Sequence, residues 1–376
     1  MFDYRHYVPI LKGKKGELLA LAKAENLQQF TALVEVVPIP LTHPEDRAPA
    51  YQSKTIDQHI KDTADAFKQA MGILPRVFID GLYIESENKL RDGKSAVEGL
   101  FSRLRDGGIR FVPTIGLDRA ENYIIAVRDA IALDKQGCCL RLVESDLESL
   151  SDLDSQIQTL LKALNVTIDH VHLLVDLKNN LPLKVTLPLL INELPRLNDW
   201  QTLTLSSSSF PQFLSDVRIN SADDHHERLE WIAWLYVREK QNAARKRVPT
   251  FSDYGINHPT LTDDTDPRML TIAPNIRYTG STSYVVAKGQ APPKKKKQET
   301  AEQEVARMRL ALSVQYPKLA ALIKVHPSWK DGTFSWGDKF IDRCSQKKCT
   351  GNRSDWRGVG ASHHIALVVQ QLANLP

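Results

Sequence analysis

Eight short apolar runs, each followed by a polar cluster and a helix-length segment, punctuate the first 255 residues of this 376-residue chain. They are YVPIL (7–11), TALVEVV (31–37), RVFI (76–79), RFVPTI (110–115), CCLRLV (138–143), VHLLV (171–175), LTL (203–205) and TFS (250–252), the last being the weakest. Strands can run parallel only where a long crossover returns the chain, and helices supply that crossover. Eight such units are the requirement of a closed (β/α)8 TIM-barrel-like fold, which takes about 250 residues. Apolar residues at helical spacing place the crossover helices over 17–25, 55–71, 96–105, 120–133, 153–164, 181–194 and 227–240. Pro182 and Pro188 leave the start of the sixth uncertain.

Beyond the barrel, β-rich segments 276–279 and 283–288 flank Gly280 and predict a hairpin. The barrel with this hairpin is assigned to 1–289. A basic linker, 290–299, contains QAPPKKKK, and a helical C-terminal extension packing on the barrel fills 300–376. Within the extension, helices are expected over 300–314 and 365–375, the latter starting directly after His363 and His364.

Composition narrows the class. The chain is 42% hydrophobic and 25% charged with a net charge of +4, the balance of an ordinary globular protein. That charge tolerates nucleic acid as a partner without arguing for it. A spanning helix needs about 18 consecutive apolar residues, and no window approaches this, so no membrane is expected. Charged residues within the first five positions point away from a secretory signal. Four cysteines, Cys138, Cys139, Cys344 and Cys349, are too few and too uneven for a disulfide scaffold, and a cytoplasmic location is expected.

In a (β/α)8 barrel, reactive groups gather at the carboxyl ends of the strands. Lys12, Glu35, Asp80, Arg141, Asp176 and Asp253 occupy or adjoin such ends. A partly desolvated carboxylate there can do acid–base work or hold a metal. The competing reading is that these residues cap the following helix or bond to barrel-mouth backbone. A second group, Asp253 and Tyr254 with Asn275, Arg277 and Tyr278, offers an acid, phenols and a planar fork for an anionic or aromatic ligand. Its plainer reading is an Asp253–Arg277 ion pair pinning the hairpin to the barrel. A third, Asp338, Trp356, His363 and His364, could fold over the barrel mouth, with a histidine at a helix start acting as acid, base or phosphate contact. Its plainer reading is a small Trp336–Trp356 core with the histidines capping the last helix. Cys344, Cys349 and the histidine pair have zinc-ligand types but loose spacing, so no metal site is adopted. Asp80, Asp176, Asp253 and His363 are the catalytic candidates; the others are candidate ligand contacts.

YVPILKGKKGE, the strand TALVEVVP, R-x-E-W at 228–231, SDYG and NIRYT together resemble the beta protein family of bacteriophages and bacteria. So do Trp336-Gly337-Asp338, Gly351, Trp356 and His363-His364-Ile365, and the resemblance covers nearly the whole chain. The run Lys294–Lys297 and the two C-terminal cysteines depart from that pattern. The resemblance implies a prophage or defence-island setting, with a protein partner encoded nearby, and names no reaction.

No P-loop is present, because the Gly-x4-Gly-Lys-Ser/Thr order is missing, and Ser206–Ser209 lacks the glycines of a nucleophile elbow. The residues name no cofactor. Two functions remain: recognition of a partner, nucleic acid or other anionic or phosphorylated ligand at the barrel mouth, and hydrolysis of a phosphoester-type substrate by strand-end carboxylates.

Overall fold

The computed structural model describes residues 2–39, 54–85, 89–261, 273–291 and 300–376. Each of the eight apolar runs is a strand. β1 (Tyr7–Lys12), β2 (Leu33–Glu35), β3 (Val77–Asp80), β4 (Phe111–Ile115), β5 (Cys138–Val143), β6 (Val171–Asp176) and β7 (Thr202–Ser206) pair in parallel in chain order. The weakest run, β9 (Thr250–Asp253), pairs with both β7 and β1 and closes the barrel. Seven helices stand on the outside: α1 (Lys15–Ala22), α2 (Ile56–Met71), α3 (Ala96–Asp106), α4 (Glu121–Asp134), α5 (Leu150–Leu164), α6 (Leu187–Glu193) and α7 (Leu229–Ala243). Thr55 and Ser95 start α2 and α3 by accepting from backbone amides three residues on, satisfying donors that the first turn leaves open.

Period-two alternation sorts the strand side chains into two cores. Tyr7, Leu11, Val34, Ile79, Leu140, Leu173 and Phe251 face the helices. Val8, Ile10, Leu33, Phe78, Cys139, Leu174 and Tyr254 fill the barrel interior.

The expected hairpin is β10 (Asn275–Thr279) with β11 (Ser283–Lys288), but it carries a third, antiparallel strand, β8 (Ser221–Glu227). The sequence of β8, SADDHHE, has no apolar alternation, because this edge strand buries neither face deeply. The sheet shares a core with α8 (Ala301–Val325), α9 (Trp336–Ser345) and α10 (Arg353–Ala373): Ile276, Tyr278, Val285, Tyr316, Ile323, Ile341 and Trp356 are buried together. Packing therefore groups the hairpin with the C-terminal helices. The basic run of the expected linker lies outside the described residues.

Two helices run about ten residues beyond their sequence-based bounds. α8 runs through Pro317 to Val325, since burial of Tyr316, Leu319, Ala320 and Ile323 outweighs the hydrogen bond that proline removes. α10 begins at Arg353, behind a reciprocal cap between Asn352 and Asp355, so His363 and His364 lie in mid-helix and cap nothing. Gly358 and Gly360 hid this start because glycine is a poor helix former. Their role is close approach. A Cβ on Gly358 would sit 2.7 Å from Gly16 O of α1, and one on Gly360 would sit 2.5 Å from Arg277 O. The far half of α10 adds Ile365, Val368, Val369 and Leu372 to the barrel's outer core.

Gly358→Ala must push α10 off α1, so we expect a loss of about 1–3 kcal/mol, the usual range for overpacking. Urea denaturation of the full chain measures it, and an unchanged midpoint would contradict this docking geometry.

Candidate functional site

Inward parity carries Lys12, Glu35, Asp80, Arg141 and Asp176 to the top of the barrel interior, at the carboxyl ends of their strands. Register aligns Lys12, Glu35 and Asp80 on adjacent strands. There they form one buried network around Arg141. Its Nη1 donates to Asp80 Oδ2 at 2.7 Å. Nε and Nη2 donate to Asp176 Oδ2 at 3.0 and 2.6 Å. Nη2 also lies 2.9 Å from Glu35 Oε1. The Tyr254 hydroxyl accepts from Arg141 Nη2 at 2.7 Å and donates to Asp176 Oδ2 at 2.6 Å. Lys12 Nζ donates to Glu35 Oε2 at 3.2 Å and to Pro259 O at 2.7 Å.

Burial works against the charge of Arg141, but Tyr254, Asp176, Glu35 and Asp80 outweigh it and hold the guanidinium well above its ordinary pKa. Burial likewise raises the Tyr254 phenol well above its ordinary value, so it remains a hydrogen-bond donor. Arg119, from the loop after β4, adds a looser contact from Nη2 to Asp80 Oδ1 at 3.4 Å. Three carboxylates thus meet three cations.

The other candidates do not join this network. Asp253 precedes the inward Tyr254 and therefore points outward, where its carboxylate accepts from Tyr7 Oη at 2.5 Å and faces His364 Nε2 at 2.9 Å. Burial would raise its pKa, but His364, Arg228 and the Tyr7 hydrogen bond prevail and lower it. His364 Nδ1 meets Thr279 Oγ1 at 2.9 Å. His363 sits in the second core with both ring nitrogens facing acceptors, Asp338 Oδ2 and Thr279 O, each at 2.9 Å. Asp338 also accepts from the Tyr278 hydroxyl at 2.8 Å. Trp356 stacks on Tyr316, with Trp336 at the edge of the same core. Asn275 donates to Ala273 O.

The expected Asp253–Arg277 ion pair does not form. Arg277 Nη1 donates to Ile256 O at 2.6 Å and Asn257 Oδ1 at 3.2 Å, and its guanidinium lies over Phe210. The four zinc-type residues of the extension also part company: Cys344 Sγ and Cys349 Sγ face Thr350 O and Phe340 O, while the histidines bind as above. A cavity of about 530 Å³ opens at the opposite, amino-terminal end of the barrel, lined by Tyr4, Trp200, Gln201, Lys246 and Arg247. Residues at that end of such barrels serve stability, which leaves the mouth as the candidate site.

The family model described as Beta protein matches residues 7–370. The chain belongs to the Beta protein family. No curated protein matches it. Among the described residues, no helix is long and apolar enough to cross a membrane.

In this family member the strand-end aspartates also bond to barrel-mouth backbone, although none of them caps the following helix. Asp80, Asp176 and Asp253 each accept from the amide two residues on, Leu82, Lys178 and Gly255. One carboxylate oxygen fixes the turn while the other remains for Arg141 or His364. Sequence reading passed over Arg119 and gave no site role to Ser206 and Ser252, all of which lie at the mouth. Parity was the available signal for the serines: Ser206 and Ser252 are paired across β7 and β9, beside Asp176. It also missed Glu17, buried where α1 meets the loop after β9, with Oε1 accepting from Asn257 Nδ2 at 2.9 Å.

Burial pushes the Glu17 carboxyl up to about 7. A carboxyl with a raised folded pKa keeps its proton in the folded chain after the unfolded chain has released it. Its stabilising contribution is therefore lost as pH rises from the ordinary 4.5 towards 7. Glu17→Gln keeps the acceptor and removes the titration. Relative to the natural chain it should gain roughly 2.5 kcal/mol between pH 5 and pH 8. Urea midpoints at the two pH values measure this, and a difference that does not vary with pH would contradict it.

Proposed function

We propose that the barrel mouth is a recognition site for an anionic, acceptor-rich ligand of the phosphate type, held beside the Arg141 network. One observation carries this reading: buried donors are left over around a network otherwise closed on itself. Arg119 Nε, Ser206 Oγ and Ser252 Oγ are buried at the mouth without a hydrogen-bond partner. An unpaired buried donor costs about 1–3 kcal/mol, so an acceptor that meets several of them binds with that gain. The network beneath is pre-organised by backbone turns and by the Tyr254 bridge, which lowers the cost of ordering a site on binding.

The rival reading, hydrolysis of an anionic ester, needs a carboxylate or imidazole free to take a proton. Glu35, Asp80 and Asp176 all sit in the fork of Arg141, and His363 and His364 lie outside the barrel wall. Recognition without turnover fits these constraints. The acceptor is the phosphate of a nucleic acid or of a free phosphorylated ligand, in the phage or defence setting that the family resemblance implies.

Thermal unfolding of the full chain with inorganic phosphate, a mononucleotide and a single-stranded oligonucleotide as probes tests the reading and separates these sources. At least one probe should stabilise the protein saturably, by about 2.7 kcal/mol at a hundred times its Kd. Arg119→Gln and Ser252→Ala should each weaken that response. No shift with any probe, or an equal shift in both variants, would overturn the proposal.

A further inference from the structure

The second candidate site lies outside the barrel, on the edge strand β8. Tyr284 of β11 pairs with His226 and Val285 pairs with Asp224, so His225 has no partner across the ladder and forms a β-bulge. In a regular strand neighbouring side chains point to opposite faces. The bulge cancels that alternation and brings His225 and His226 together, with ring centroids 4.1 Å apart. The loop leading into β8 then delivers Asp216 to both. Its Oδ1 lies 3.2 Å from His225 Nε2, and its Oδ2 lies 4.0 Å from His226 Nε2. The loop is held against the strand by Arg218, which pairs with Asp223 at 2.9 Å, and by Ser221, whose hydroxyl donates to Asp223 at 2.7 Å.

One donor atom from each of Asp216, His225 and His226 lies within 4.8 Å of the others, the one such group of three among the described residues. Two ligands on a tetrahedral zinc ion are about 3.3 Å apart, as metal–nitrogen bonds of about 2.0–2.1 Å require. The His225 side chain is 9% exposed, and its Nε2 is buried with no hydrogen-bond partner despite facing the carboxylate. Asp216, at 61% exposed, leaves the outer side of the cluster open to water. Lys288, whose charge reaches His225, is turned away to donate to Leu214 O.

We propose that Asp216, His225 and His226 bind a divalent first-row transition ion of the zinc type. Three protein ligands would hold it, and its remaining position would face solvent. Two histidines and one carboxylate suit such ions better than magnesium or calcium, which prefer all-oxygen shells. The bound ion would clip the loop before β8 to the three-stranded sheet.

The test is titration of the metal-free full chain with Zn2+ by calorimetry and with Co2+ by visible absorption. One equivalent should bind, with d–d bands but no thiolate charge-transfer band. Asp216→Asn and His226→Gln change exposed or half-exposed side chains, and their thermal unfolding confirms that they fold. Each should weaken binding by more than about 100-fold, beyond the 10–100-fold cost of losing an outer-shell partner. Binding that persists undiminished in both folded variants, a thiolate band placing the ion on the cysteines, or no binding would each overturn the proposal.

Discussion

The Arg141 fork is the interaction on which the rest of the barrel mouth depends. Closing eight strands turns the inward side chains of their carboxyl ends toward one another. Here that brings Glu35, Asp80 and Asp176 together out of water. Carboxylates in that position repel one another and lose their hydration, unless a cation with several directed donors stands between them. Guanidinium is suited to this because its planar fork can serve several oxygens at once, and a lysine ammonium in its place would act as a point charge. Replacing such a cluster with apolar residues is often neutral or stabilising, so its presence is poorly explained by stability. That is the physical reason for taking the mouth as the candidate site.

A different strand, β9, ties the mouth to the C-terminal helices. β9 turns Ser252 inward and Asp253 outward to Tyr7 and His364 of α10, and the next residue, Tyr254, turns inward to join the Arg141 network. Gly16 and Gly358 let α10 lie directly on α1, and Glu17 on that helix meets Asn257, which also holds Arg277. The extension is thus joined to the barrel through polar contacts on the back of the wall that lines the mouth. A ligand that rearranged Tyr254 would act on a strand whose neighbouring residue is fixed by α10.

The barrel was legible in the sequence because strand burial on both faces produces uninterrupted apolar runs such as Val8–Leu11 and Leu173–Val175, bounded by polar turns. The strand-end residues were legible for the same reason. Their grouping was harder to read. Asp253 belongs apart from Asp80 and Asp176 because of a one-residue difference in parity, and the short run at 250–252 gives no alternation from which to judge it. His363 and His364 were placed at a helix start because Gly358 and Gly360 lower helix propensity, whereas these glycines answer to close packing against Gly16 and Arg277. β8 left no signal, since a polar edge strand lacks the apolar period and a bulge breaks what period remains. The Asp253–Arg277 pair failed because the two lie in different sheets: Asp253 is turned to Tyr7 and His364, while Arg277 reaches Ile256 O and Asn257 instead.

The most direct test of this account is a double-mutant cycle between Arg141→Met and Asp176→Asn, read by urea unfolding of the full chain at neutral pH. With Arg141 present, Asp176→Asn should destabilise the fold. Without it, the same substitution removes an uncompensated buried charge and should be neutral or stabilising. The resulting coupling should fall at about 1–3 kcal/mol, within the range for residues sharing one network. Effects that add to within about 0.5 kcal/mol, with the same sign in both backgrounds, would contradict the claim that Arg141 organises the mouth.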